Sequence, residues 1–248
     1  MQGPKISIIT VAYNAQNTIE RCINSVLGQK FKNIEYIIID GRSTDNTCRI
    51  IDKYRTNIDA FISEPDHGIY DAMNKGIALA TGDVIGTINA DDFFADDEVL
   101  YDIARVFSEQ DTSILYGNLD YIDPNDKVIR KWRSGKYSRG MFNWGWMPPH
   151  PTFYCKKDLF DKLGVYKLDY GSAGDYELML RFIHFNNINA YYLNKVLIKM
   201  VVGGVSNKSL GNRVQAMRFD LKAMRNNNIF LPGLTILFKP LRKIAQFF

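Results

Sequence analysis

Four short apolar runs, separated by three stretches with helical spacing, fill the first hundred residues, and this alternation constrains the chain more than any other feature. KISIITVA (5–12) and IEYIIID (34–40) are β-branched and continuous, the pattern of strands buried on both faces. Ile58–Ser63 and residues 83–89 are the third and fourth runs. Between the first two, Ile19, Cys22, Ile23, Val26 and Leu27 recur at helical intervals behind Asn17 and Glu20, which have capping-box spacing. A second helix is expected from the N-cap candidates in Ser43–Thr47 to about Tyr54. A third is expected over Gly68–Ala80, ended by Gly82. Strands and helices in this order build a mainly parallel mixed sheet with helices on both sides, so the expected class is α/β.

Ligands of such sheets bind outside the carboxyl ends of the strands. Polar residues gather at those ends: Thr10, Tyr13 and Asn14 at the first strand, Asp40 at the second, Glu64 and Asp66 at the third, and Asp91 and Asp92 at the fourth. Packing does not explain polar groups at one edge of four consecutive strands, and a functional cleft is expected there. Adjacent acids at the end of a core strand raise the cost of ionising both. A divalent cation between them and an anionic ligand removes that cost. Hard cations such as Mg²⁺ take carboxylate oxygens and bridge to phosphates. A metal-bound diphosphate (with Mn²⁺ or Mg²⁺) at the strand edge is therefore one reading. A solvated turn, with Asp91 capping the next helix, is the other.

Length and composition narrow the rest. The chain has 248 residues, of which 46% are hydrophobic, enough for a sizeable core in one large domain. A net charge of +4 without a long basic stripe does not point to nucleic acid. Cys22, Cys48 and Cys155 form no Cys-x-x-Cys pair and read as reduced thiols. No leader precedes the first strand and no apolar run is long enough for a span, so a cytoplasmic protein, at most at the inner face of the membrane, is expected.

The second half is less regular. Ile114–Tyr121 and Lys127–Trp132 read as strands around a turn at Asp123–Asp126, and Asp175–Phe185 as a helix with a surface ion pair between Glu177 and Arg181. Residues 135–151 lack periodicity and read as a lid carrying Trp144, Trp146 and His150. Residues 1–228 are expected to form one domain. The tail, 229–248, mixes apolar residues with Lys239, Arg242 and Lys243. It suits a membrane interface, and the rival reading is a helix packed on the domain or a dimer contact.

SIITVAYNA (7–15), IDGRSTDNT (39–47), SEPDHGIYDAMNKGIALATGD (63–83), INADD (88–92) and AGDYELMLRF (173–182), with GGVS (203–206) in support, cover more than three quarters of the chain. Jointly they resemble the family-2 glycosyltransferases of GT-A fold, in particular the small enzymes of bacterial surface-polysaccharide assembly. The resemblance implies a nucleotide-diphospho-sugar donor across the strand edge. Thr10, Ala12, Tyr13 and Asn14 would line its nucleotide pocket, with Asp40 near the base or ribose and Asn74 beside the donor. It assigns Asp91 to ribose or metal, Asp92 to the metal, and Asp175 to the catalytic base of an inverting displacement. It also implies an acceptor hydroxyl on a growing surface glycan (lipopolysaccharide, capsule or exopolysaccharide), lipid-linked by expectation.

Three positions depart from the family pattern: Gly41 and Gly174 stand where an acid is usual, and Asn89 replaces the first acid of the Asp-x-Asp. Asp66 or Asp71 is then expected to share the donor contacts. His150, Trp144 and Trp146 are candidates for the acceptor or diphosphate, against anchoring roles for all three. Two rivals follow from the same residues: a sugar-nucleotide-binding protein without turnover, and a sugar-phosphate nucleotidyltransferase. AYNAQN (12–17), where a Gly-rich basic loop is usual, disfavours the second. No Gly-x-Gly-x-x-Gly follows a strand, which disfavours a dehydrogenase.

Overall fold

A computed structural model of the protein describes residues 3–202, 210–244 and 246. The GGVS stretch lies outside them. Four parallel strands come first: β1 (Ile6–Ala12), β2 (Ile34–Asp40), β3 (Ala60–Ser63) and β4 (Val84–Asn89). Their register aligns Ala12 with Asp40, Asp40 with Ser63, and Val11 with Asn89. The carboxyl ends therefore finish level, and the loops leaving them share one edge.

Five further strands extend this half: β5 (Asp92–Phe94), β6 (Ile114–Ile122), β7 (Val128–Trp132), β8 (Tyr154–Lys156) and β9 (Ala190–Val201). The order is β3-β2-β1-β4-β8-β6-β9-β5, with β7 on β6. β8 runs antiparallel to β4, β6 pairs with β9 in parallel, and β5 returns antiparallel to β9. The sheet is mixed, with its parallel half as expected.

Strand alternation sends side chains to two cores. On one face Ile8, Ile38 and Ile88 meet α1 (Ile19–Leu27), α2 (Thr47–Asp52) and α4 (Val99–Glu109) through Ile23, Ile51 and Ile103. On the other, Ile9, Ile37 and Ile39 meet α3 (Ile69–Leu79) and α6 (Gly174–Met179) through Met73, Ile77 and Tyr176. The remaining helices are α5 (Lys157–Leu163), α7 (Leu210–Asn226) and α8 (Pro232–Ile244).

Several elements differ from expectation. Asp92 opens a strand: β5 pairs Asp92 with Met200, so this acid lies in a ladder and not in a solvated turn. The Glu177–Arg181 pair forms in the interior, because both residues are buried. The Arg181 guanidinium also donates to the carbonyls of Leu163, Gly164 and Val165, fixing the loop that carries Tyr166. The 135–151 stretch is packed and not free as a lid. Phe142 and Trp146 are buried in an aromatic cluster with Tyr116 and Tyr137, and the indole N–H of Trp146 donates to the Ser134 carbonyl.

The tail also packs. Thr235 and Ile236 on α8 are buried, and the Thr235 hydroxyl donates to the Asn143 carbonyl at 2.7 Å. Gly145 in the packed loop touches the α8 backbone at Lys239 so closely that a β-carbon would fall 2.7 Å from the amide nitrogen.

Candidate active site

The level strand ends open onto a cavity of about 1350 Å³. Ala12, Tyr13, Asn14, Asp66, Asn89 and Asp91 line it, and Tyr13 is 66% exposed at its mouth. Asn14 adopts a left-handed backbone (φ 48°), and its side chain accepts from the Thr44 N–H at 2.9 Å, which joins the loops after β1 and β2. That conformation suits Asn better than most residues.

Four of the sequence candidates stand behind the lining. Thr10 faces the α1 layer and meets the Tyr36 hydroxyl at 3.1 Å, because its neighbours Ile9 and Val11 take the other face of the strand. Asp40 is fully buried and its oxygens accept from the Ser43 N–H (2.9 Å) and the Ser63 hydroxyl (2.7 Å), so it shapes the loops around the cavity. Asp71 accepts from the His67 N–H at 3.0 Å. Asn74 clasps both the N–H and the carbonyl of Tyr166.

Gly41 shows why an acid is absent at that position. A β-carbon there would lie 2.4 Å from a carboxylate oxygen of Asp66. The Asp66 carboxylate, arriving from the loop after β3, occupies the space that a side chain at 41 would need.

The hairpin β6–β7 supplies a wall that the sequence did not mark: Tyr121, Ile129, Arg130 and Trp132 line the cavity, with Met200 from β9. Arg130 stacks over the Tyr121 ring at 4.5 Å. The period-two pattern of VIRKW puts Arg130 and Trp132 on one face, but only the pairing of β7 with β6 turns that face inward.

Asp91 is open to solvent at the cavity, while Asp92 is fully buried beneath it. Partial desolvation in the cavity wall raises the Asp91 carboxyl above its ordinary value, and full burial followed by the charge of Asp91 raises Asp92 well above it. The Asn89 side-chain amide donates to Asp92 Oδ2 at 3.0 Å; Asp92 Oδ1 and the side-chain oxygen of Asn89 are buried without a hydrogen-bond partner. Two orphaned hard oxygens beside Asp91 are a donor set that a hard cation suits. Among the described residues no three His, Cys, Asp or Glu side chains converge, so phosphate and water would have to complete the coordination.

A chamber of about 530 Å³ adjoins the cavity and shares Gly68, Ile69, Asn89, Tyr121 and Trp132 with it. Asp175 and His150 line this chamber. One carboxylate oxygen of Asp175 (Oδ1) accepts from the Tyr70 hydroxyl at 3.1 Å and the Tyr176 N–H at 2.7 Å. Among the described residues no group donates to Oδ2, which is left for a ligand. Gly174 makes this possible, because a β-carbon there would fall 2.7 Å from the Tyr70 ring.

The His150 ring nitrogen Nε2 meets the Tyr166 hydroxyl at 2.7 Å, and Tyr166 stacks on Tyr70 with ring centres 5.4 Å apart. Burial lowers the His150 imidazole from its ordinary value, opposed by the charge of Asp175. Trp146 is buried in its cluster. Trp144 is 59% exposed and packs against Phe238 of α8.

The family described as Glycosyl transferase family 2 matches residues 7–164. This chain belongs to that family. An uncharacterized glycosyltransferase of Mycobacterium tuberculosis is 32% identical over 189 residues, covering 72% of this chain and 69% of the relative. A glycosyltransferase of PGL/p-HBAD biosynthesis from Mycobacterium bovis is 27% identical over 212 residues, covering 84% and 81%.

Solved structures confirm the GT-A fold of this family 2 chain. Staphylococcus aureus TarS in complex with UDP-GlcNAc superposes with a TM-score of 0.69 over 97% of this chain and 73% of TarS, at 18% identity. The mannosyltransferase PcManGT from Pyrobaculum calidifontis, in complex with GDP-Man and Mn²⁺, gives 0.70 over 99% and 74%, at 16% identity.

Proposed function

We propose that the protein is an inverting glycosyltransferase that moves a sugar from a nucleotide-diphospho-sugar to a hydroxyl of a growing surface glycan. The observation that carries this reading is the Asp175 carboxylate. One oxygen is held by Tyr70 and Tyr176, the other faces a chamber that shares a wall with the donor-sized cavity. The nucleotide would lie along Ala12–Asn14 and Asp66, and the diphosphate near Asp91. An acceptor hydroxyl in the chamber gives its proton to Asp175 Oδ2 as its oxygen bonds to C1 of the sugar. The C1–oxygen bond to the diphosphate breaks on the opposite side, and the electron pair leaves with the nucleoside diphosphate. Entry from one side and departure from the other invert C1.

A cation held by Asp91 and Asp92, with Asn89 beside them, would neutralise charge on the leaving diphosphate. The solved complex of PcManGT with GDP-Man and Mn²⁺ supports that reading by fold alone.

The test is calorimetric titration of uridine, guanosine and thymidine diphospho-sugars with and without Mn²⁺ or Mg²⁺. Tight binding of one donor in the presence of metal is the expected result. A chain that binds none of them is not a transferase of this class.

The acceptor is proposed to be lipid-linked, reached at the inner face of the membrane. Among the described residues no helix is long and apolar enough to cross a bilayer. The outer face of α8 nevertheless exposes Leu234, Leu237 and Leu241, with Phe230 and Leu231 just before it. Substituting Leu234, Leu237 and Leu241 with Glu leaves the buried Thr235 and Ile236 in place. This variant is expected to lose most of its co-sedimentation with anionic vesicles. Equal partitioning of variant and parent would refute membrane contact through this face.

A further inference from the structure

Beyond Asp175 the groove opens into a second basin of about 570 Å³. It shares Trp132, Met147, Ser172 and Asp175 with the catalytic chamber, so Asp175 stands between the two. Elements far apart in sequence build its walls: Lys131 and Arg133 come from the β7 hairpin, and Lys239 and Arg242 from α8. The acids in the lining are Asp175 and Asp220.

Asp220 is already neutralised, because the Lys239 ammonium lies 2.8 Å from it. The same ammonium sits 3.5 Å above the Tyr176 ring, which fixes it in place. Arg133 reaches Asp120 at 2.6 Å, outside the basin. Among the described residues no carboxylate pairs with Lys131 or Arg242. With those two ion pairs set aside, Lys131 and Arg242 stand against Asp175 alone, a surplus of one positive side chain. Two unpaired cations lining one concavity raise the local concentration of anions in it. Lys131, Arg133, Lys239 and Arg242 do not line the donor cavity, which meets the basin at Trp132, so the donor diphosphate does not account for the surplus.

We infer that this basin receives a negatively charged group of the acceptor, a phosphate or a carboxylate, while the acceptor hydroxyl lies against Asp175 Oδ2. The inference rests on the transferase reading and adds the chemical class of the acceptor. Lys131 and Arg242 hold the anion; Lys239, tied to Asp220 and Tyr176, shapes the floor. A neutral sugar would leave Lys131 and Arg242 unpartnered.

Trp132 and Trp146 line the basin and report on it by fluorescence. The full chain is titrated with glucose 6-phosphate, glucuronate and methyl glucoside, each with and without saturating UDP or GDP and Mn²⁺. The anionic sugars are expected to bind at least about tenfold more tightly than methyl glucoside, the factor of one charge-assisted hydrogen bond. The Lys131→Ala/Arg242→Ala double variant loses that preference, and Arg242→Lys retains most of it. Preference for the phosphate or for the carboxylate identifies the source of the anion. Both substituted side chains are exposed, and an unchanged melting curve verifies the fold.

Equal binding of all three sugars, or an anion preference that survives in the double variant, overturns the inference. Nucleotide binding is read in the same titrations. Its absence would refute the transferase reading, while the anion titration without nucleotide still decides the chemistry of the basin.

Discussion

Asp175→Asn is expected to slow sugar transfer by about 10²–10⁴-fold, the usual worth of a positioned general base, while leaving nucleotide binding unchanged. The Asn carbonyl oxygen can keep both bonds that orient the parent side chain, from Tyr70 and from the Tyr176 N–H. The amide then presents N–H to the chamber, where a carboxylate oxygen stood. It donates toward the acceptor hydroxyl and cannot take its proton. Asp175 is absent from the lining of the nucleotide cavity, so the loss falls on turnover. Tyr70→Phe separates orientation from basicity: it removes one of two donors to the same oxygen and is expected to cost about tenfold in turnover, the effect of one charge-assisted hydrogen bond. Single-turnover transfer from pre-bound donor measures both variants. Transfer at the parent rate by Asp175→Asn would remove this residue from the chemistry.

The site was legible in the sequence to the extent that it depends on strand ends. Parallel strands buried on both faces have a strong local signal, and the first four delivered Tyr13, Asn14, Asp66 and Asp91 to one cavity. Thr10 and Asp40 illustrate a limit of the same rule. Lying near the end of a strand does not say which face a side chain takes, and both turn inward. The β6–β9 pairing joins segments about seventy residues apart, and nothing local announces it. Arg130, Trp132 and Met200 reach the cavity only through such pairings. The departures at Gly41 and Gly174 looked like missing acids in one dimension. In three dimensions each makes room for a neighbour from another loop or helix, Asp66 in one case and Tyr70 in the other.

Asp92→Asn is expected to raise the melting temperature of the metal-free protein at pH 8 by about 5 °C, and to abolish the rise that Mn²⁺ gives the parent chain. Burial raises the Asp92 carboxyl well above the ordinary value of 3.8, and one of its oxygens has no donor. A group raised in this way contributes stability below its unfolded value, and the contribution is lost as pH rises through the folded value. At pH 8 the parent must either bury an unpaired carboxylate or hold a proton that the unfolded chain has lost, a cost of about 1–3 kcal/mol. A chain of this size shifts by about 2–4 °C per kcal/mol. Asn fills the same volume, keeps the bond from the Asn89 amide and carries no charge, so it removes the cost. The gap between variant and parent should therefore shrink toward pH 5, where the parent carboxyl is more nearly protonated. Metal binding requires the deprotonated form, so the Mn²⁺-dependent rise in the parent grows together with that gap, from pH 5 to pH 8. Scanning calorimetry at both pH values, with and without Mn²⁺, decides the matter. A variant less stable than the parent at both would mean that Asp92 serves the ladder between β5 and β9. A variant that keeps the Mn²⁺ response would transfer the metal to Asp91 alone.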